Sequence, residues 1–158
     1  MFTKEERSSF KYWFAHWCAF QMTALNNKCW KFKYLFHDIE KPWLMLIWKD
    51  YKKVQKWHRT HNSHHLEYKN KCEIDYEAMA IDWECSRFTK DSSPRTAYEE
   101  LCKVLGEMKE TYNRPDTPIL DKIKISTNGF ALEENMLDAL VKTNLRQDKQ
   151  HKFFFNSL

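Results

Sequence analysis

The chain has 158 residues, of which 42% are hydrophobic and 16% aromatic, and its net charge is +4, from 26 basic and 22 acidic side chains. That apolar content supports one domain with a real core and excludes a disordered chain. The mild positive excess suits an anionic ligand but does not mark a nucleic-acid binder. Gly occurs only twice and Pro four times. Such sparse punctuation between long periodic stretches argues for an all-α fold.

The five cysteines, at 18, 29, 72, 85 and 102, form no CxxC pair and are odd in number. They read as reduced thiols of a cytoplasmic chain. The charged start Met1 to Arg7 carries no signal-peptide pattern. The longest apolar run, Trp43 to Trp48, is too short to span a bilayer, so no membrane partner is expected.

In chain order, residues 3–27 read as a first helix, with Thr3 as cap, Glu5 and Glu6 in the first turn, and Phe10, Trp13, Phe14 and Trp17 at helical spacing. His16 lies within that pattern, where a lone histidine is most simply a hydrogen-bonded core residue. Residues 28–38 form a second helix ending at His37-Asp38, with Pro42 as the reason for an ending. Only at a helix end can these adjacent side chains face one point. A third helix, 43–66 with room for one break, has Trp43, Leu44, Ile47, Trp48, Tyr51 and Val54 as its apolar face. After a polar connection at 67–72, a fourth helix spans 73–89. Ile74, Ala78, Ile81 and Cys85 make one of its faces, and Asp75, Met79 and Asp82 a neighbouring stripe.

Ser92-Ser93-Pro94 starts a fifth helix, 94–113, by the rule of Ser at the cap and Pro at the first position. Residues 119–130 are extended or briefly helical and end in an Asn128-Gly129 turn, and a last helix covers 131–145. The tail closes on Phe153-Phe154-Phe155, which must pack on the body or on a partner. The whole is a single all-α domain, 1–158, of about six helices. A site core occupies 10–90, and a helical extension at 92–158 covers it or offers a homo-oligomer contact.

Four of the seven histidines, His58, His61, His64 and His65, fall within eight residues. On a continuous helix His58, His61 and His65 share a stripe. A solvated His-rich face is the competing account, because such tracts are only compositional evidence. His37-Asp38 and Asp82 weigh against it. Neutral imidazole is the commonest side-chain metal ligand, and imidazoles among carboxylates suit Mn, Fe, Co, Ni or Zn.

The order His16, His37-Asp38, histidine cluster, Asp82-Trp83 resembles the HD-domain superfamily of metal-dependent phosphohydrolases. The doublet continues Ile39-Glu40-Lys41, similar to the family's HD-Ile-Gly-Lys with Glu40 in place of glycine. The local pattern His-x-x-His-Asn-x-His-His-x-Glu, then Asp-Trp, also resembles a small HD-like family, the DUF5662 type. The resemblance covers about residues 16–87. It implies His16, His37, Asp38 and Asp82 as ligands of one divalent transition metal, with His58 and His64 or His65 toward a second ion or toward phosphate oxygens. It further implies Asn62, Glu67 and Arg87 toward the substrate or in support of the ligands, Lys41 toward a phosphate in catalysis and binding, and Asp75, Glu67 or His61 as general base or as a group that orients a ligand. The expected activity is metal-assisted hydrolysis of a nucleotide or another small phosphate ester. Alternatives are a non-catalytic protein that binds a nucleotide or a partner, and a di-iron oxygenase. A shared metal requires His37 and Asp82 to lie within roughly 10 Å of each other, since each ligand sits only about 2 Å from it.

Overall fold

Side-chain caps set where most of the helices begin. In the computed structural model, which describes residue 3, residues 8–91 and residues 95–145, Ser9 caps α1 (Phe10–Asn26) by accepting the Tyr12 N–H at 3.1 Å. Residues 32–36 then make a 3-10 turn, Phe32–Phe36, rather than the expected α-helix over 28–38. Pro42 lies in the first turn of α2 (Lys41–Trp48), where its missing N–H costs nothing. Lys49 takes a left-handed φ of 50°, and Asp50 caps α3 (Tyr51–His61) by accepting from the Lys52 and Lys53 N–H groups. The expected third helix is therefore broken at this point.

The expected fourth helix is α4 (Glu73–Thr89), with the expected bounds. For α5 (Ala97–Asn113), Thr96 and Glu99 form a capping box, so the helix begins later than expected. Ser92-Ser93-Pro94, Glu5 and Glu6, and the Phe153-Phe154-Phe155 tail lie outside the described residues. The last helix, α6 (Ile119–Lys142), runs through Asn128-Gly129 without a turn. A tight Asn-Gly hairpin turn needs positive φ, and neither residue adopts it. Thus the described residues form an all-α fold of six α-helices and one 3-10 turn.

Helix α4 organises these elements because two of its sides are apolar. Ala78, Ile81 and Cys85 meet Phe20 and Ala24 of α1 and Tyr34 of the 3-10 turn. Met79 and Ala80 face Leu101 and Leu105 of α5 and Leu132, Met136, Leu137 and Leu140 of α6. The alanines let the neighbouring helices approach closely. Since α5 and α6 occupy one side, the polar groups of α4 that face α1 open on the other. No helix among the described residues is long and apolar enough to cross a membrane.

Leu140 is fully buried between α4, α5 and α6, whereas Leu120 on the same helix is 72% exposed. Leu140→Ala is expected to cost about 2–5 kcal/mol in urea unfolding, and Leu120→Ala less than about 0.5 kcal/mol.

Candidate metal centre

The site starts with a backbone conformation. His37 closes the 3-10 turn, and Asp38 takes φ 58°, the left-handed region that Asp tolerates better than most residues. This one reversal turns both side chains inward. The Trp13 indole N–H donates to the Asp38 carbonyl at 2.7 Å, and the Lys41 N–H donates to the same carbonyl at 3.1 Å. Asp38, His16, His37, His58, His64 and Asp82 are all buried.

Around Asp38 the side chains fall into two sets. On its Oδ2 side, His37 Nε2 lies at 3.6 Å and His16 Nε2 at 4.0 Å. Asp82 Oδ1 is 2.8 Å from His16 Nε2 and 3.6 Å from His37 Nε2. On the Oδ1 side, His58 Nε2 is at 3.1 Å and His64 Nε2 at 3.2 Å, while His65 Nε2 is 2.5 Å from His58 Nε2. The first set meets the distance condition on His37 and Asp82 that the sequence imposed.

The separations of 3.1–4.0 Å fit ligands of a shared ion, whereas the 2.5 Å between His58 and His65 is a direct contact between the two rings. Two ligands each ~2.1 Å from one metal stand ~3 Å apart at right angles and ~4 Å apart when opposed. In addition, His37 Nε2, Asp38 Oδ1 and His64 Nε2 are buried without a hydrogen-bond partner, although each lies close to the others' polar atoms. Orphaned buried polar atoms are costly, and a cation held with Asp38 on either side would give each of them a partner. Groupings able to hold an ion are Asp38 with His58, His64 and His65, His16 with His37 and Asp38, and His16 with Asp82 and Cys85. Cys85 was read from sequence only as an apolar-face residue. Its fully buried thiol is pushed well up by burial and by Asp82.

A supporting layer orients the candidate ligands, as partners of this kind do around metal-binding histidines. His16 Nδ1 lies 3.3 Å from Thr89 Oγ1. The His37 ring stacks on Phe20 with centroids 3.8 Å apart. His58 Nδ1 hydrogen-bonds Glu40, and Asn62 donates to the same Glu40 oxygen at 2.7 Å. Glu40, which stands where the resembled motif has glycine, is therefore the carboxylate that orients His58. Its proximity to Lys41 in sequence gave no sign of this, because the partner is eighteen positions away.

Electrostatics follow the geometry. Burial opposes ionisation of Asp38, but His37, Lys41, His58 and His64 outweigh it and hold the carboxyl well below its usual range. Asp82 is likewise held down, against burial, by His16 and His37. Burial and the neighbouring His64 push His65 down, so it stays neutral. His64 is lowered by burial and by His37. Burial and Lys41 work against a charge on His58, yet Asp38 and Glu40 raise it.

Other expected site residues lie elsewhere. Because Asn62 turns extended (φ −95°, ψ 126°), α3 stops at His61, and a loop rather than a helical stripe returns His64 and His65 to Asp38. His61 is exposed and stacks on Trp57 at 4.3 Å, away from the cluster. Glu67 is exposed and pairs with Arg59 at 2.7 Å. Asn62 serves Glu40. Asp75 is two helical turns from Asp82, about 10 Å along the axis, and does not join the cluster. Its carboxylate instead accepts from Lys33 at 2.7 Å, Ser63 at 2.6 Å and the Cys72 N–H at 2.9 Å. It thus caps α4 and ties down the loop that carries His64.

Lys41 and Arg87 do reach the cavity beside the cluster. Lys41 Nζ is 2.5 Å from Asp38 Oδ2, and Arg87 Nε is 3.0 Å from Glu84 Oε1. The cavity, about 560 Å³, is lined by His16, His65 and Asp82, by the cations Lys41, Arg59, Arg87, Lys90, Arg95 and Lys103, by Glu100, which pairs with Arg95 and Lys103, and by Tyr12, Tyr51 and Trp83.

The chain matches no protein-family model, no curated protein and no solved structure. Its class therefore rests on geometry: an all-α protein whose buried His, Asp and Cys side chains could hold a metal ion.

Burial works against ionisation of Asp75, but the Lys33, Ser63 and Cys72 hydrogen bonds hold its carboxyl below the usual range. A depressed folded pKa gives stability that is present above about pH 4 and is lost as pH falls through the folded value. Asp75→Ala should therefore lower stability by about 1–2 kcal/mol at pH 7 in urea titrations. The gap to wild type should shrink steadily below about pH 4.

Proposed function

We propose that the protein is a metal-dependent phosphohydrolase acting on a nucleotide or another small phosphate ester. The observation that carries this reading is one cavity with candidate ligands His16, His65 and Asp82 in its lining and six cationic side chains around them. His16, His37, Asp38 and Asp82 are assigned to one ion. His58, His64 and His65, together with Asp38, would hold a second. A divalent Mn, Fe, Co, Ni or Zn ion bound in such a set would supply an activated water and offset phosphoryl charge.

The chain's own groups then have distinct tasks. Lys41, anchored on Asp38, keeps two further N–H donors for a phosphate oxygen. Arg87, held by Glu84, presents a planar fork that suits phosphate. Tyr12, Tyr51 and Trp83 offer ring faces for the organic part of the substrate. The shared Asp38 favours one further reading, a di-iron oxygenase, for which a coloured, iron-loaded preparation would be the sign. Retention of a nucleotide without turnover would instead mark a binding protein.

The test is a panel of phosphomonoesters and nucleotides assayed with added Mn, Fe, Co or Zn. Turnover is expected, with Asp82→Ala reducing kcat/KM by at least about a hundredfold while His61→Ala leaves it near wild type. An absence of turnover with every metal and ester would overturn the proposal.

A further inference from the structure

Directly after the Asp38 turn, the apolar helix α2 buries none of its residues. Trp43 is 67%, Leu46 69% and Ile47 71% exposed, at spacings of three and four that place them on one face. Beside them a groove of about 510 Å³ between α1 and α2 is lined by Phe10, Trp13, Ile39, Trp43 and Leu46. Phe10 is itself 62% and Ile39 46% exposed, so the apolar surface continues across both elements. A contiguous patch of this kind marks an interaction surface.

The charge around the patch selects its occupant. Residues 41–56 carry five lysines against the single acid Asp50, which is committed to capping α3. Lys49, Lys52, Lys53 and Lys56 are exposed and form no ion pair among the described residues. A second copy of this chain docked face to face through α2 would bring a second cationic 41–56 segment to the same interface. An anionic lipid surface instead complements it: Trp43 and Trp48 suit the headgroup level, Leu46 and Ile47 the acyl boundary, and the lysines the phosphates. Eight residues are too few to span a bilayer, but lying in its surface requires only a face.

We infer that α2 and the adjoining α1 groove form a docking surface for anionic membranes, with Leu46 and Ile47 inserted and Lys49, Lys52 and Lys53 on the headgroups. This inference is independent of the metal-site reading. It is tested by co-sedimenting the full-length protein with vesicles of phosphatidylcholine alone or mixed with phosphatidylserine. Wild type should bind the mixed vesicles and weaken as salt rises. Leu46→Glu with Ile47→Glu should lower the partition coefficient at least about tenfold, as should Lys49→Glu with Lys52→Glu and Lys53→Glu. All five side chains are exposed, so circular dichroism should show both variants folded. Failure of folded wild type to bind mixed vesicles would overturn the inference. So would equal binding to both vesicle types, or a dimer in analytical ultracentrifugation that Leu46→Glu with Ile47→Glu dissolves.

Discussion

Everything at the candidate site depends on the left-handed turn at Asp38. A non-glycine residue held there costs about 1–2 kcal/mol. The fold compensates through two hydrogen bonds to the Asp38 carbonyl, from the Trp13 indole and the Lys41 N–H, and through the Lys41 ammonium on its side chain. In return the carboxylate stands between two groups of imidazoles that come from different parts of the chain. With Asp38 in a helical conformation, His37 and Asp38 would diverge by about 100° and could not face the same point.

A second constraint is charge. Burying two carboxylates and several imidazoles is expensive unless they are paired. Lys41 supplies one fixed positive charge, and the histidines supply hydrogen bonds to Asp82 and Glu40. The orphaned atoms of His37, Asp38 and His64 remain, and they belong to the two groupings around Asp38 that could each hold an ion. The apolar framework keeps them there: α4 is wedged between α1 on one side and α5 with α6 on the other, which fixes Asp82 opposite His16.

Much of this was legible in the sequence, for identifiable reasons. Helix α4 has strong periodicity and a polar connection before it, so its bounds could be read directly, but the stripe that holds Asp82 offered Asp75 equally, and Asp75 caps the helix instead. Pro42 and the His37-Asp38 doublet indicated a chain reversal. Three-residue geometry and long-range partners were not legible. The 3-10 turn at 32–36 has the same aromatic content as a helix, and Asn128-Gly129 is a turn signal that the packing of α6 overrides. Periodicity assumes a continuous helix, so it placed His61 with His58 and missed the loop that brings in His64 and His65. Glu40 and Thr89 act through partners far away in sequence, which no local pattern records.

The most direct test of the metal-centre account is elemental analysis of protein purified without an affinity tag, comparing wild type with Asp38→Ala. About one or two equivalents of a transition metal are expected in wild type, lost in a variant that keeps its helical circular dichroism. Wild type that takes up no metal, even after exposure to Mn, Fe, Co or Zn, would contradict it and leave the cluster as a structural feature of the fold.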